Sequence, residues 1–318
     1  MPKVGSKKNF GWGAKPLYAG RNAIRDYYGK GRFATVAAHN ARWAIFCRSL
    51  GESGIKDTAE VTTESVIDFA AELRKKVSAG RMTIAYATNL ISSVNIAMKA
   101  LRGDEAVKIS PREHVGSRIR VRKIPPKGMD KKAVWAAADE MREMGYTAEA
   151  AVIVLCREIG LRKKEGCLID AKKSLQEALE FGRVNVTRGT KGGRGRTVDR
   201  WVDIPESVFG LLLDAAAIQG AARSLVPPAS ALKQFIGKLN KAWETVRGKY
   251  GLGPIHDLRA SFACELYECL TGYPAPVTAG KRLAPDEIDD LARQIIAHAM
   301  GHFRKESAAA YIGTRRST

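Results

Sequence analysis

At 318 residues the chain is longer than one hydrophobic core usually serves, and two domains are expected. With 45% hydrophobic and 27% charged residues, and no apolar run near the ~18 residues of a membrane span, the composition excludes disordered and membrane-spanning classes. Fifty-three Lys and Arg against 33 Asp and Glu leave a net charge of +20, which favours a polyanionic partner, nucleic acid above all.

The opening residues carry no apolar stretch of the secretory type. Cys47, Cys156, Cys167, Cys264 and Cys269 form no C-x-x-C pair, which suits buried thiols in a reducing cytoplasm and no structural zinc. Residues 1–30 are basic and glycine-rich and are expected to be flexible. Helices follow over 34–50, 64–79 and 82–101. Thr63 is the expected cap of the second, whose Val66, Phe69, Ala70, Leu73 and Val77 share one face. Ile84, Ala87, Ile91, Val94, Met98 and Leu101 do the same in the third. The result is a small bundle with cations outside, among them Arg74, Lys75 and Arg81, and nothing in it that looks catalytic.

Residues 115–128 hold two consecutive prolines and the cations Arg118, Arg120, Arg122 and Lys123, and read as an extended, positively charged linker. Residues 1–127 contain 24 basic and 10 acidic side chains, the remainder 29 and 23, so most of the excess charge precedes the second domain. That domain opens with helices over 131–144 and 147–159, the second capped by Thr147 and stopped by Gly160. Segments 184–187 and 200–204 flank a glycine-rich connection with Lys191, Arg194 and Arg196, and read as a β-hairpin. Helices resume over 206–219, 230–249, 256–270 and 286–300, with a short one near 305–312.

Several chemistries find no support. There is no phosphate loop of the G-x-x-x-x-G-K-[ST] type, and the glycines of 192–195 lack the strand-to-helix context of a dinucleotide site. His298 and His302 have the i,i+4 spacing of zinc ligands without an evident third donor, so neither a metal nor another cofactor is expected. What remains is an ordered set in the C-terminal part: Gly160-Leu161-Arg162 with Glu165, Lys191 in the hairpin, His256-Asp257-Leu258-Arg259, Gly301-His302, and Tyr311 nine residues later.

This order resembles the tyrosine recombinase, or phage integrase, family over residues 130–318; the N-terminal part is similar to that family's core-binding domain in character only. The resemblance implies a mainly α fold: a helical core-binding domain over 1–125 and an α-rich catalytic domain with a small antiparallel sheet over 126–318, closing as a C-shaped clamp on double-stranded DNA. It implies Tyr311 as nucleophile, forming a 3′-phosphotyrosine. Arg162 and Arg259 would clamp the phosphate oxygens bidentately, as planar guanidiniums can. His256 would assist loss of the tyrosine proton, His302 would hydrogen-bond the phosphate, Lys191 would protonate the leaving oxygen, and Glu165 would orient Arg162. Exchange would use four protomers on two DNA sites, with accessory DNA-bending or directionality proteins as further partners, in the cytoplasm at the nucleoid. Integration and excision of a mobile element is the expected role. A dimer-resolving recombinase of the same chemistry, or a non-catalytic DNA-binding derivative, are the alternatives.

Three features depart from the family pattern. Arg259 and His302 stand 43 residues apart, the extra material being a Pro/Gly-rich loop over 271–285. Seven residues follow Tyr311, so contact with a neighbouring protomer would fall to the tyrosine segment or to that loop. No separate N-terminal arm-binding domain is evident. Among the cations, Arg74, Lys75, Arg81, Arg118, Arg120, Arg122, Lys123, Arg194 and Arg196 are the expected DNA contacts.

Overall fold

The computed structural model describes residues 7–302 and 304–314, except the side chain of Arg196, which lies outside the described residues. The chain forms two compact units that divide between Ile119 and Arg120.

The described residues of unit 1 form the α-helices α1 (Pro16–Tyr28), α2 (Phe33–Glu52), α3 (Thr63–Ser78), α4 (Ile84–Arg102) and the short α5 (Pro111–Val115). Its core is aromatic and aliphatic. Phe46 meets Trp43 at 5.5 Å and Phe69 at 5.0 Å between ring centroids, over Leu73, Leu90, Ile91 and Met98. The cap of α3 is Thr62, one residue before the expected Thr63: its hydroxyl accepts the Ser65 amide at 3.3 Å while the Ser65 hydroxyl serves the Thr62 amide. The flexible segment expected over 1–30 is corrected for its described part. Pro16 starts α1 at a position that needs no amide donor. Ala19, Ala23 and Ile24 then bury one face, and Trp43 Nε1 donates to the Pro16 carbonyl at 3.1 Å.

Unit 2 begins inside the expected linker, six residues before the expected boundary. The reason is a set of ties to its own helices. Arg157 donates from Nε to the Gly128 carbonyl (2.7 Å) and from Nη2 to that of Met129 (3.0 Å). Asp257 accepts from Arg122 Nη2 (2.8 Å) and from the Lys127 amide (3.1 Å). Then follow α6 (Lys131–Glu143), α7 (Thr147–Glu158), α8 (Lys163–Leu168) and α9 (Ala171–Phe181). Thr147 is the first helical residue of α7 rather than its cap.

Strands β1 (Arg183–Asn185) and β2 (Trp201–Asp203) pair antiparallel with Val184 opposite Val202, a shorter sheet than expected. Their connection turns through a 3-10 segment, Lys191–Arg196. Helices α10 (Phe209–Gln219), α11 (Leu232–Val246), α12 (Ile255–Thr271), α13 (Pro276–Ala279), α14 (Asp286–Ala299) and α15 (Ala309–Ile312) complete the unit. The fold is therefore mainly α with one small antiparallel sheet. Its core gathers Val152, Leu155, Leu212, Phe235, Trp243, Leu258 and Ile296 around α7 and α12. Among the described residues no helix is long and apolar enough to cross a membrane.

Candidate active site

The site is built where α7 ends. Gly160 turns the chain with φ +66°, and Phe262 of α12 packs so close that a Cβ there would lie 2.3 Å from its ring. Only glycine fits both demands. The turn delivers Arg162 to the start of α8, where the Glu165 carboxylate accepts its amide (2.7 Å) and its Nη1 (2.6 Å). A residue three positions on thus closes the helix start and fixes the guanidinium with one group.

Glu165 also holds a second guanidinium. Arg200, at the entry to β2, donates from Nη1 to Glu165 (2.7 Å), from Nε to the Ala299 carbonyl (2.8 Å) and from Nη2 to that of Gly160 (3.3 Å). It staples the hairpin base to the turn before Arg162 and to the end of α14. Arg259, the fifth residue of α12, is a third. Its Nη1 and Nη2 donate to the carbonyls of Gly160 and Met300, its Nε lies 3.4 Å from the Tyr311 hydroxyl, and Glu165 stands 3.6 Å away. Arg259 has no exposed surface, whereas the Arg162 side chain is 23% exposed. The two guanidiniums expected to clamp a phosphate thus differ in exposure. Arg162 is partly exposed, with Nη1 on Glu165 and Nη2 donating to the Met300 carbonyl at 3.1 Å, while the forked end of the fully buried Arg259 is taken by the carbonyls of Gly160 and Met300.

Burial alone would raise the Glu165 carboxyl, but Arg200, Arg259 and Arg162 outweigh it and hold the group down at about 2. Burial, then the neighbouring Arg200 charge, brings Arg259 down to about 10. Three guanidiniums therefore share one buried carboxylate, which leaves the cluster short of negative charge.

His302 follows Gly301 at the end of α14. Its Nε2 lies 3.2 Å from Arg162 Nη2 and 3.2 Å from the Tyr311 hydroxyl. Burial first, then Arg162, Arg259, Arg200 and Lys191, push the imidazole down to about 4. At neutral pH it is uncharged, and since the guanidinium N–H can only donate, Nε2 is the acceptor nitrogen, its single lone pair facing both Arg162 and the Tyr311 hydroxyl. Tyr311 is 5% exposed. His256, the residue expected to take its proton, meets it through a ring contact at 5.9 Å, while His302 holds the hydrogen bond. Of the two histidines, His302 rather than His256 thus stands within hydrogen-bond distance of the hydroxyl.

The low value for His302 has a testable sign. Between pH 6.5 and about 4 the unfolded chain binds a proton there that the folded chain does not. The stability this group supplies is therefore complete above 6.5 and falls away as pH drops toward 4. In a pH titration by NMR, with His302→Gln to assign the signals, its ring is expected to keep neutral-form shifts at pH 5.5. A midpoint near 6.5 would contradict the electrostatic picture.

A cleft of about 340 Å³ opens beside this cluster, lined by Arg162, Lys191, Arg194, Arg200 and His302 among others. Lys191 is exposed on its wall. The remaining expected DNA contacts behave differently from one another. Arg74, Lys75, Arg81, Arg118, Arg120 and Lys123 are exposed; Arg122 is engaged by Asp257, and the Arg196 side chain lies outside the described residues. Among the described residues no three His, Cys, Asp or Glu side chains gather as a metal site.

Sequence reasoning missed Arg200, although a signal was present. Arg200, Val202 and Ile204 share one parity of an alternating strand and are all buried. A cation at an inward position needs a buried partner, and Glu165 is that partner.

The sequence pattern of the integrase family matches residues 129–265, which contain Arg162, Lys191, Arg200, His256 and Arg259. No curated protein matches the sequence. Among solved structures, the Tn1549 transposon integrase in complex with transposon right end DNA is similar with a TM-score of 0.59. It is 14% identical, over 94% of this chain and 95% of that one. A lambda integrase dimer bound to a COC′ core site gives 0.56 at 17% identity, over 92% of this chain and 76% of that one. A lambda integrase tetramer bound to a Holliday junction gives 0.56 at 17% identity, over 93% and 76%. At such identities the likeness is one of fold.

Proposed function

We propose that the chain is a tyrosine recombinase of the integrase family, whose sequence pattern it matches over residues 129–265, and that it recombines double-stranded DNA at specific sites through a 3′-phosphotyrosine on Tyr311. The observation that carries this reading is the Tyr311 hydroxyl, 3.2 Å from a neutral His302 acceptor and 3.4 Å from Arg259 Nε. A binding protein has no need of a tyrosine so placed.

In the first step the Tyr311 oxygen bonds to phosphorus while its proton passes to His302 Nε2. The bond from phosphorus to the 5′-oxygen breaks, and Lys191, on the wall of the cleft, gives that oxygen a proton. The products are a 3′-phosphotyrosine and a free 5′-hydroxyl. The hydroxyl of a partner strand then attacks the phosphotyrosine and reseals the backbone. The energy of the phosphodiester stays in the protein–DNA bond, so the cycle draws on no ATP.

Charge grows on the non-bridging oxygens at the transition state, and cations fixed in advance oppose it without reorganising. Arg162 is placed to bond an oxygen directly. Arg259 and Arg200 act through their charge from below, and Glu165 keeps the three from driving one another apart. The exposed cations of unit 1 supply contacts to the DNA backbone, which position the duplex without reading it. We assign it assembly as a tetramer on two DNA sites, a reading supported by the shared fold of a lambda integrase tetramer bound to a Holliday junction, and integration and excision of a mobile element as its role.

The test is a trap. Nicked duplexes drawn from the sequences flanking the gene, incubated with the protein in EDTA and run on a denaturing gel, are expected to yield a covalent adduct. Digestion of that adduct should place the nucleotide on the peptide containing Tyr311. An adduct on any other residue, or salt-sensitive binding with no adduct from any nicked substrate, would overturn the reading.

A further inference from the structure

We infer that Asp289 and Arg293, on α14, are positioning residues for Tyr311: a buried ion pair that grips the backbone two residues beyond it, a role that rests on the reading of Tyr311 as nucleophile. Asp289 has no exposed surface and Arg293 is 3% exposed. Arg293 donates from Nε to Asp289 Oδ2 at 2.8 Å and from Nη1 to the Gly313 carbonyl at 3.1 Å. The other carboxylate oxygen accepts from the hydroxyl of Tyr267, fully buried on α12, at 2.8 Å. The pair therefore links α12 and α14 to the chain that carries the nucleophile.

That chain needs gripping. The helix α15 has four residues, too few to hold a conformation by its own hydrogen bonds. Besides its one closing bond, from the Gly313 amide to the Ala309 carbonyl (3.2 Å), the carbonyls of α15 and of Gly313 are held by groups from elsewhere. The Arg122 amide donates to Ala309 (2.9 Å), the Cys264 thiol to Tyr311 (3.8 Å), and Arg293 to Gly313. Gly313 itself has φ +88° and sits against Val277 of α13, where a Cβ would come 2.9 Å from the Val277 amide nitrogen. The loop over 271–285, which widens the spacing between Arg259 and His302, thus supplies the wall behind the tyrosine segment.

A buried ion pair is weak evidence for stability, since apolar residues of similar volume often serve a core as well. Here the guanidinium does what no apolar side chain can: it holds a carboxylate with one edge and the Gly313 carbonyl with another. Misplacing a reacting group by about 1 Å costs rate on the order of 10²-fold. Arg293 does not touch the reacting atoms, and it sets where the Tyr311 hydroxyl lies relative to His302 and Arg259.

The experiment compares Arg293→Lys with the parent in single-turnover adduct formation on a nicked duplex, beside DNA affinity and thermal unfolding. Lysine keeps the charge opposite Asp289 but cannot also reach Gly313. The expected result is a rate at saturating DNA lower on the order of 10²-fold, with affinity unchanged. Gly313→Ala, which leaves the ion pair intact and forces the chain off Val277, should show the same split between rate and affinity. It decides alone if Arg293→Lys does not fold. Parent-like rates in the folded variants, or losses of rate and affinity in proportion, overturn the positioning role while leaving the proposed function standing. A parent that forms no adduct at all counts against the proposed function instead.

Discussion

Replacing Tyr311 by phenylalanine is expected to leave DNA binding and folding close to the parent's and to reduce covalent adduct formation by at least ~10⁴-fold, the scale seen when a nucleophile is removed from an otherwise intact site. The separation follows from how the ring is held. Its contacts with the Arg259 guanidinium (5.5 Å), the His256 ring (5.9 Å) and the His302 ring (6.0 Å) are made by carbon and survive the change. Only the hydroxyl goes. Arg259 loses a long bond of 3.4 Å and keeps its two carbonyl acceptors, and His302 Nε2 keeps Arg162 at 3.2 Å. The stability cost should therefore stay near ~1 kcal/mol, the net worth of one hydrogen bond. Thermal unfolding, a binding titration and a denaturing gel run on one preparation measure all three quantities. A phenylalanine variant that still forms adduct would remove Tyr311 from the chemistry.

What could be read from the sequence depended on how each element buries itself. Helices α3, α4, α6, α7, α10, α11, α12 and α14 carry large apolar residues at helical spacing, and the period alone places them. Helix α1 escapes because its buried face is mostly small: Ala19, Gly20 and Ala23 with a single isoleucine, set among basic residues. Helix α9 escapes for the same reason, burying Ala171, Ser174, Glu177 and Ala178. At α1 the partner's bulk fills the interface, with Trp43 packed where a Cβ on Gly20 would lie, so the helix's own residues signal little.

The site divides in the same way. Residue order and type point to Arg162, Lys191, His256, Arg259, His302 and Tyr311, and the structure brings the two arginines, His302 and Tyr311 into hydrogen-bonding reach of one another. Spacing carries no distances, however. It cannot tell that His302 rather than His256 faces the hydroxyl, nor that Arg259 is fully covered. Arg122 shows the limit for cations on irregular segments, where charge and position suggest DNA but a carboxylate 135 residues on, Asp257, has taken the side chain. Arg200 needed a different argument, since only strand parity marks it.

Arg200 also explains why Glu165 is the residue on which the cluster turns. Arg162 and Arg200 bond it at 2.6 and 2.7 Å, Arg259 stands 3.6 Å away, and the carboxylate itself is fully buried. Held at about 2 against an ordinary 4.5, it contributes about 3 kcal/mol at neutral pH. Because its value is depressed in the folded state, that contribution is complete above pH 4.5 and is lost as pH falls toward 2. Glu165→Gln keeps the shape and removes the charge, which leaves three guanidiniums packed together and an amide N–H among donors. We expect unfolding to become easier by about 3–5 kcal/mol, the range for breaking a buried pair from one side. Adduct formation should fall on the order of 10²-fold as Arg162 loses its anchor. A DNA phosphate returns negative charge to the same cluster, so DNA should raise the melting temperature of the variant more than that of the parent. Inorganic phosphate at high concentration should do so in part. Thermal unfolding with and without duplex DNA measures the difference, and equal shifts for the two proteins would show that the bound backbone does not meet these arginines.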